Sequence, residues 1–427
     1  MPAPAEPSPR KPRPSYLAAP PLLTEHEPFE GAALIRELPG ALGLVLWKTL
    51  RDVSAWTDAM EPDRCGLFPP GAAEAREEEI AAAGAEGELW APLLVVARLV
   101  GSPTRVDHPR LVHACRAVAR WGERRGRTAV QLAFTQAAAR LAPEHPRLAY
   151  AVGRLARDRG ELARAESWLR ASIRLARQRD WHTYAMAYLS LGTLYQQLGN
   201  LPAARSLTLR GYRTAHRRRV GRLRGMALHN LFTIAAEMLD FDRAHRYALA
   251  AATAYGPGHE LLPALAHDLG CFWLLHGCFA RAAETFEQVL PRISHPDERL
   301  LALGNLARAS AAAGRLDAYR RGRSEAIPLL GAAEVTPARA AQVWLDLARG
   351  AATVGDHTAA DEAAERSLEI GRPLRLGQLR LEAEALRESI AAARAAGRPV
   401  PHPGPAEAMP ETHTVAALVR ALAPSAA

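Results

Sequence analysis

Lysine is nearly absent from this chain of 427 residues: of the 54 basic side chains, only Lys11 and Lys48 are lysines. The other cations are arginines. The net charge of +9 fits a nucleic-acid or anionic-membrane partner, but so complete a skew towards arginine also fits a coding bias. Charge alone selects neither. Aromatic residues are scarce, at 6% against 48% hydrophobic overall, and alanine supplies the missing apolar content. That favours close helix packing over a thick aromatic core. Runs of β-branched residues are few, which argues against a sheet and for an all-α protein. Cysteine is limited to Cys65, Cys115, Cys271 and Cys278, none in a CxxC pair. A disulfide framework is not expected, and a reducing cytoplasm is the simplest location.

Long apolar runs are missing too. The longest, "ALGLVLW" and "APLLVVARLV", fall far below the roughly 18 residues of a membrane span, so no membrane partner is expected. The amino-terminal "MPAPAEPSPRKPRPSYLAAPPLL" lacks the continuous apolar centre of a secretory signal. Its prolines predict a disordered tail over 1–22. Residues 23–107 read as a helical region. "LPGALGLVLWKTLRDVSAWTDAM", "AAEAREEEIAAAG" and "GELWAPLLVVARLVG" are its helices, and "EPDRCGLFPPG" is a loop. No helix-turn-helix signature or nucleotide-binding loop is recognisable there.

From about residue 108 the chain becomes rhythmic. Helix pairs joined by short glycine-containing turns recur, with units beginning near 146, 185, 225, 263, 300 and 341, that is, at offsets of 37 to 41 residues. A looser unit precedes them and a final helix, "GQLRLEAEALRESIAAARAAG", follows. The array is assigned to 108–396. A Pro-rich linker (397–410) and a short terminal helix (411–427) complete the chain. Internal repetition at such a period indicates stacked supersecondary units, each burying its apolar face on the next.

The unit "LGCFWLLHGCFARAAETFEQVLP" carries Leu269, Gly270, Trp273, Gly277, Phe279, Ala282, Phe286 and Val289. "LGTLYQQLGNLPAARS" carries Leu191, Gly192, Tyr195, Gly199, Leu201 and Ala204. In these positions the units resemble the tetratricopeptide repeat over about 250 of the 427 residues. The period departs from the 34 residues of that repeat, so helices or turns are longer here. The expected fold is an all-α solenoid of tetratricopeptide-like helix pairs with an N-terminal helical region. Gly192 and Ala204 are expected where two helices cross, Gly199 at a turn, and Tyr195 between neighbouring units.

No catalytic constellation is recognisable, and no cofactor is implied. His267 and Cys271 stand at i, i+4, a spacing that can serve zinc. The second ligand pair is missing, so no metal site is assigned. The resemblance implies that the first helix of each unit lines a concave groove. Carried over, it places Arg147, Tyr150, Arg154 and Arg157 there from the first regular unit. Ser190, Gln196 and Gln197 follow from the next, then His229 and Asn230, His267 and Asp268, Asn305 and Arg308, and finally Asp346 and Arg349. The sixth position of the helix is polar in five consecutive units: Ser190, Asn230, Asp268, Asn305 and Asp346. The resemblance implies that an asparagine there bonds a ligand backbone. A polar ladder between neighbouring helices fits the same pattern. Arginines at both ends of the array suit carboxylates. The densest basic run, "RGYRTAHRRRVGRLRG", reads as a solvated outer face.

The expectation is a non-enzymatic scaffold that binds a protein or peptide, with an acidic segment favoured by the arginines. The alternatives are a regulatory sensor of a small peptide or effector, resembling bacterial transcription and signalling regulators, and a nucleic-acid-associated protein.

Overall fold

The computed structural model describes residues 31–85, 87–332, 335–373 and 376–400. The Pro-rich tail expected over 1–22 and the short terminal helix expected over 411–427 lie outside the described residues. Among those described, the secondary structure is helical with no strand.

The chain divides into two compact units between Leu223 and Arg224. The first begins with α1 (Ala32–Glu37), α2 (Ala41–Asp58), α3 (Ala72–Ala82) and α4 (Trp90–Gly101). Three helix pairs follow: α5 (His108–Arg124) with α6 (Thr128–Leu141), α7 (Pro146–Asp158) with α8 (Leu162–Ala176), and α9 (Trp181–Gln197) with α10 (Leu201–Arg217). Helix α11 (Gly221–Glu237) spans the division. It is followed by α12 (Phe241–Tyr255), then α13 (Leu262–Leu275) with α14 (Phe279–Val289) and α15 (Pro296–Ala312) with α16 (Leu316–Leu329). The described part ends with α17 (Pro337–Thr353), α18 (His357–Gly371) and the single helix α19 (Gly377–Ala395). The segment expected as a loop after α2 instead forms a short 3-10 helix, Glu61–Gly66, with Pro62 near its start.

Capping residues set the helix starts. Asp107, Asp180, Asn200, Asp240 and Asp356 each accept a bond from the backbone N–H three residues on, satisfying one of the donors that a helix start leaves free. Proline in the first turn of α5, α7, α15 and α17 fixes the entry dihedral at no hydrogen-bond cost. These signals place α9, α15 and α17 a turn earlier than the unit starts read from sequence, at Trp181, Pro296 and Pro337, and α11 likewise begins early, at Gly221. The alignment of small residues marks where helices cross, and that point lies inside each helix.

Within each unit, sequence-adjacent helices pack on one another. First helices also touch the first helix of the next pair: α7 on α9, α13 on α15, α15 on α17 and α17 on α19. This is the stacking of a solenoid. The crossings explain the glycines. A side chain at Gly192 would collide with Thr208 and press on the Ala204 carbonyl of α10. Gly199 holds φ +72° in the turn between α9 and α10, a conformation that costs glycine little. The equivalent turn between α11 and α12 uses Leu239 at φ +58°.

In the first unit one hydrophobic core runs from Leu34 on α1 to Leu207 on α10. The N-terminal helices are therefore continuous with the first pairs. Glu37, at the end of α1, joins them further: its carboxylate accepts from the backbone N–H groups of Ala129 and Val130 at 3.0–3.1 Å. It thereby caps α6. In the second unit Trp273, Phe286, Phe232 and Leu345 are fully buried, and α19 covers Leu345 and Leu368 through Leu379 and Ala383.

Candidate functional site

Helical spacing puts one polar row on the first helices of the second unit. Residues three or four apart share a face. Thus His267 and Cys271 stand together on α13, Asn305 and Arg308 on α15, Gln342, Asp346 and Arg349 on α17, and Gln378 and Glu382 on α19. Because first helices pack on first helices, each of these faces meets the next.

The row is bonded from helix to helix. His229 Nε2 on α11 lies 2.9 Å from Asp268 Oδ2, and His267 Nδ1 lies 3.4 Å from Asp268 Oδ1. Tyr255 on α12 approaches the other nitrogen of His229 at 3.4 Å. The Asn305 amide donates to Cys271 Sγ at 3.4 Å, and its nitrogen lies in contact with His267 Nε2 at 3.4 Å. Further along, Asp346 accepts from Arg308 at 3.1 Å, Arg349 at 3.3 Å and Gln342 at 3.1 Å. Arg349 also donates to Glu382 at 2.6 Å, and Gln378 supports Glu382 at 2.7 Å. These bonds are the ladder that the polar sixth positions allow. Three of those positions, Ser190, Asn305 and Asp346, are buried, Asp346 to 1% exposure. Asp268 keeps 40% of its side chain open and Glu382 37%.

Electrostatics fix the charges of the row. Burial alone would raise the Asp268 carboxyl, but bonds from His229 and His267 hold it well below the usual carboxylate range. Burial likewise opposes charge on His267. Its bonds to Asp268 and Cys271 outweigh that and raise its pKa to about 10, so the imidazolium persists at neutral pH. At Glu382 burial is again opposed, by Gln378 and Arg349, and the pKa falls.

The candidates of the first unit are arranged differently. Arg147 donates to Asp180 at 2.9 Å. Despite its partial burial, the Asp180 carboxyl is lowered to about 2 by the Thr183 N–H and by Arg147. Arg154 and Arg157 both turn to Asp158, at 3.2 and 2.7 Å. Tyr150 and Ser190 approach at 3.5 Å between α7 and α9. Gln196 is half-buried and Gln197 exposed. Asn230, beside His229, is half-buried on α11. The arginines Arg147, Arg154, Arg157, Arg308 and Arg349 thus each hold a carboxylate of this chain.

Two features escaped the sequence analysis. One is the contribution of α19 to the row through Gln378 and Glu382, for which their i, i+4 spacing is the available signal. The other is a buried triad in the first unit. Arg170 pairs with the fully buried Glu166, and Tyr195 of α9 donates to the same carboxylate oxygen at 2.8 Å. Tyr195 therefore does more than fill space between pairs: it ties α9 to a buried charge on α8. Between α17 and α19 lies an open cleft of about 610 Å³, lined by Thr336, Arg339, Gln342, Gln378 and Glu382 among others. Among the described residues, no group of three His, Cys, Asp or Glu side chains is placed to hold a metal ion. None of their helices is long and apolar enough to cross a membrane. In the basic run, Arg217, Arg218 and Arg219 are exposed, and Arg218 lies over the Trp181 ring at 4.2 Å.

No protein-family model matches the chain, and no curated protein matches it. Solved structures do show a likeness. Aspartyl phosphate phosphatase F from Bacillus subtilis aligns at 11% identity and TM-score 0.46, over 77% of this chain and 93% of that one. A Rap protein complexed with Competence and Sporulation Factor aligns at 10% identity and TM-score 0.36, over 84% and 99%. The TPR2AB domain of yeast Sti1, in complex with an HSP90 peptide, aligns at 14% identity and TM-score 0.26, over 66% and 99%. These are helical-repeat proteins, and the likeness is one of fold type only.

Proposed function

We propose that the protein is a non-enzymatic scaffold that binds a protein or peptide segment along the first helices of its helix pairs. The polar row on α13, α15, α17 and α19 carries this reading. Its side chains are held in place by neighbouring helices, so they lose little freedom when a ligand arrives. Asp268 and Glu382 keep open faces, where they can accept bonds from the N–H groups of an extended backbone. The cleft of about 610 Å³ between α17 and α19 gives room for a side chain at one end of the row. The residues proposed to meet the ligand are therefore Asp268, Arg308, Arg349 and Glu382, with His229 holding Asp268 in place and the arginine faces of α7 as a separate candidate surface in the first unit.

The test is a pull-down from native-host lysate with mass spectrometry. Three baits are compared: the full chain, an Asp268→Asn/Glu382→Gln variant, and an Arg366→Glu variant on the exposed face of α18. The row variant should lose the specific partner and the α18 variant should retain it. Retention by the row variant with loss by the α18 variant moves the binding surface to the second helices.

A further inference from the structure

We propose that Cys271 is a reactive thiol on the polar row, a site of oxidation by hydroperoxides, with His267 as the residue that tunes it. The proposal goes beyond partner binding and stands whether or not a peptide occupies the row. The sulfur lies 3.9 Å from both ring nitrogens of His267, one turn earlier on α13. From α15, the Asn305 amide nitrogen points at the sulfur from 3.4 Å. Asp268 anchors the histidine through Nδ1. An imidazole, itself held by a carboxylate, and an amide donor thus meet a nucleophile on a half-buried residue.

The surroundings of the sulfur decide its chemistry. Asp268 and Cys271 together keep the imidazolium charged through neutral pH. A nucleophile within reach of a histidine that a third side chain orients is the arrangement that activates a thiol, and the thiolate is its nucleophilic form. The other packed elements bring the following groups to the pair. From α11 comes His229, which is bonded to Asp268. From α12 comes Tyr255, bonded to His229. From α14 comes the Phe286 ring, 5.6 Å from that of His267. Arg308, one turn along α15, is held by Asp346. The remaining thiols are placed differently. Cys115 is fully buried and pushed up to about 12 by that burial. Burial also raises Cys278. Cys65 is exposed, and its sulfur donates to the Pro62 carbonyl at 3.6 Å.

The reaction balances with a hydroperoxide as the oxidant. The Cys271 thiolate attacks one peroxide oxygen, forming an S–O bond as the O–O bond breaks, and two electrons pass from sulfur to the peroxide. The departing hydroxide or alkoxide takes a proton from the His267 imidazolium and leaves as water or alcohol. The product is a sulfenic acid facing Asn305 at the contact of α13 with α15.

The experiment exposes the full-length protein to hydrogen peroxide at pH 7, traps sulfenic acid with dimedone, and measures each cysteine-containing peptide by mass spectrometry over time. Cys65 serves as an exposed internal standard in the same sample. Cys271 should acquire the adduct at least about tenfold faster than Cys65, although it is less exposed. The His267→Gln variant, checked for wild-type helical content, should bring Cys271 down to the rate of Cys65 or below. Wild-type Cys271 reacting no faster than Cys65 overturns the proposal, whatever the fate of the variant. A folded His267→Gln protein with an unchanged Cys271 rate overturns the role given to the histidine.

Discussion

Single residues decide how closely these helices approach and how the turns are made. Gly192 is the clearest case, because any side chain there meets Thr208 and the Ala204 carbonyl. Gly192→Leu should lower stability by about 1–3 kcal/mol through overpacking. Arg213→Gln, on the exposed face of α10, should stay within about 0.5 kcal/mol. Chemical denaturation of both variants checks this, and equal midpoints mean the crossing is misplaced. Leu239 gives the opposite sign. It holds a left-handed φ of +58° with the residue 65% exposed, in a turn where the α9–α10 pair has Gly199. That conformation costs a non-glycine residue roughly 1–2 kcal/mol. Leu239→Gly should therefore raise the denaturation midpoint, and a fall would show that the leucine makes a contact stronger than its strain. The glycines were legible in the sequence because a costly residue repeated at fixed spacing. Leu239 was not, because the turn it makes carries no glycine to mark it. The triad of Glu166, Arg170 and Tyr195 was hidden for another reason. Spacing shows that Glu166 and Arg170 share a face, but nothing local shows that the face is buried or that a tyrosine 29 residues on reaches it.

At the scale of the element, helix ends carry the connections that sequence reading misses. Caps such as Asp180 and Asn200 act on their own helix and can be read locally. Glu37 caps a helix more than ninety residues away, bonding the N–H groups of Ala129 and Val130. Glu37→Ala leaves those donors without the carboxylate and should cost about 0.5–2 kcal/mol. Hydrogen exchange at the first turn of α6 should quicken. Unchanged exchange there would separate the N-terminal helices from the stability of the first pairs. The polar row shows the same division. The sequence placed Asp268, Asn305 and Asp346 at equivalent positions on successive helices, and that much follows from period alone. Which residue bonds which depends on how first helices pack on one another. That is why Glu382 and Gln378 of α19 were not included, and why the ion pairs of Arg308 and Arg349 with Asp346 and Glu382 were not foreseen.

At the scale of the whole molecule, stability rests on stacking and on a few coupled charges. Helix α19 covers Leu345 and Leu368 at the end of the second unit. Truncation before Gly377 should expose that apolar face and cause aggregation or loss of helicity in α17 and α18. A truncated chain that remains monomeric with unchanged thermal stability would deny α19 its capping role. The pH response follows from His267 and Asp268. The pKa of His267 is raised above its ordinary value near 6.5, so its contribution is complete below about pH 6.5 and is lost as pH rises towards about 10. The carboxyl of Asp268 is lowered, so its contribution is present above about pH 4 and is lost on acidification. The difference in denaturation midpoint between wild type and His267→Gln should therefore shrink steadily from pH 6.5 to 10. A constant difference would mean that the charge on His267 contributes nothing to folding.

The claim that the first helices form the binding surface is tested most directly by hydrogen exchange on the full chain, with and without the partner recovered from the host. Binding should slow exchange on α13, α15, α17 and α19 around Asp268, Asn305, Asp346 and Glu382, and leave α14, α16 and α18 unchanged. Protection confined to the second helices, with none on the polar row, would contradict it.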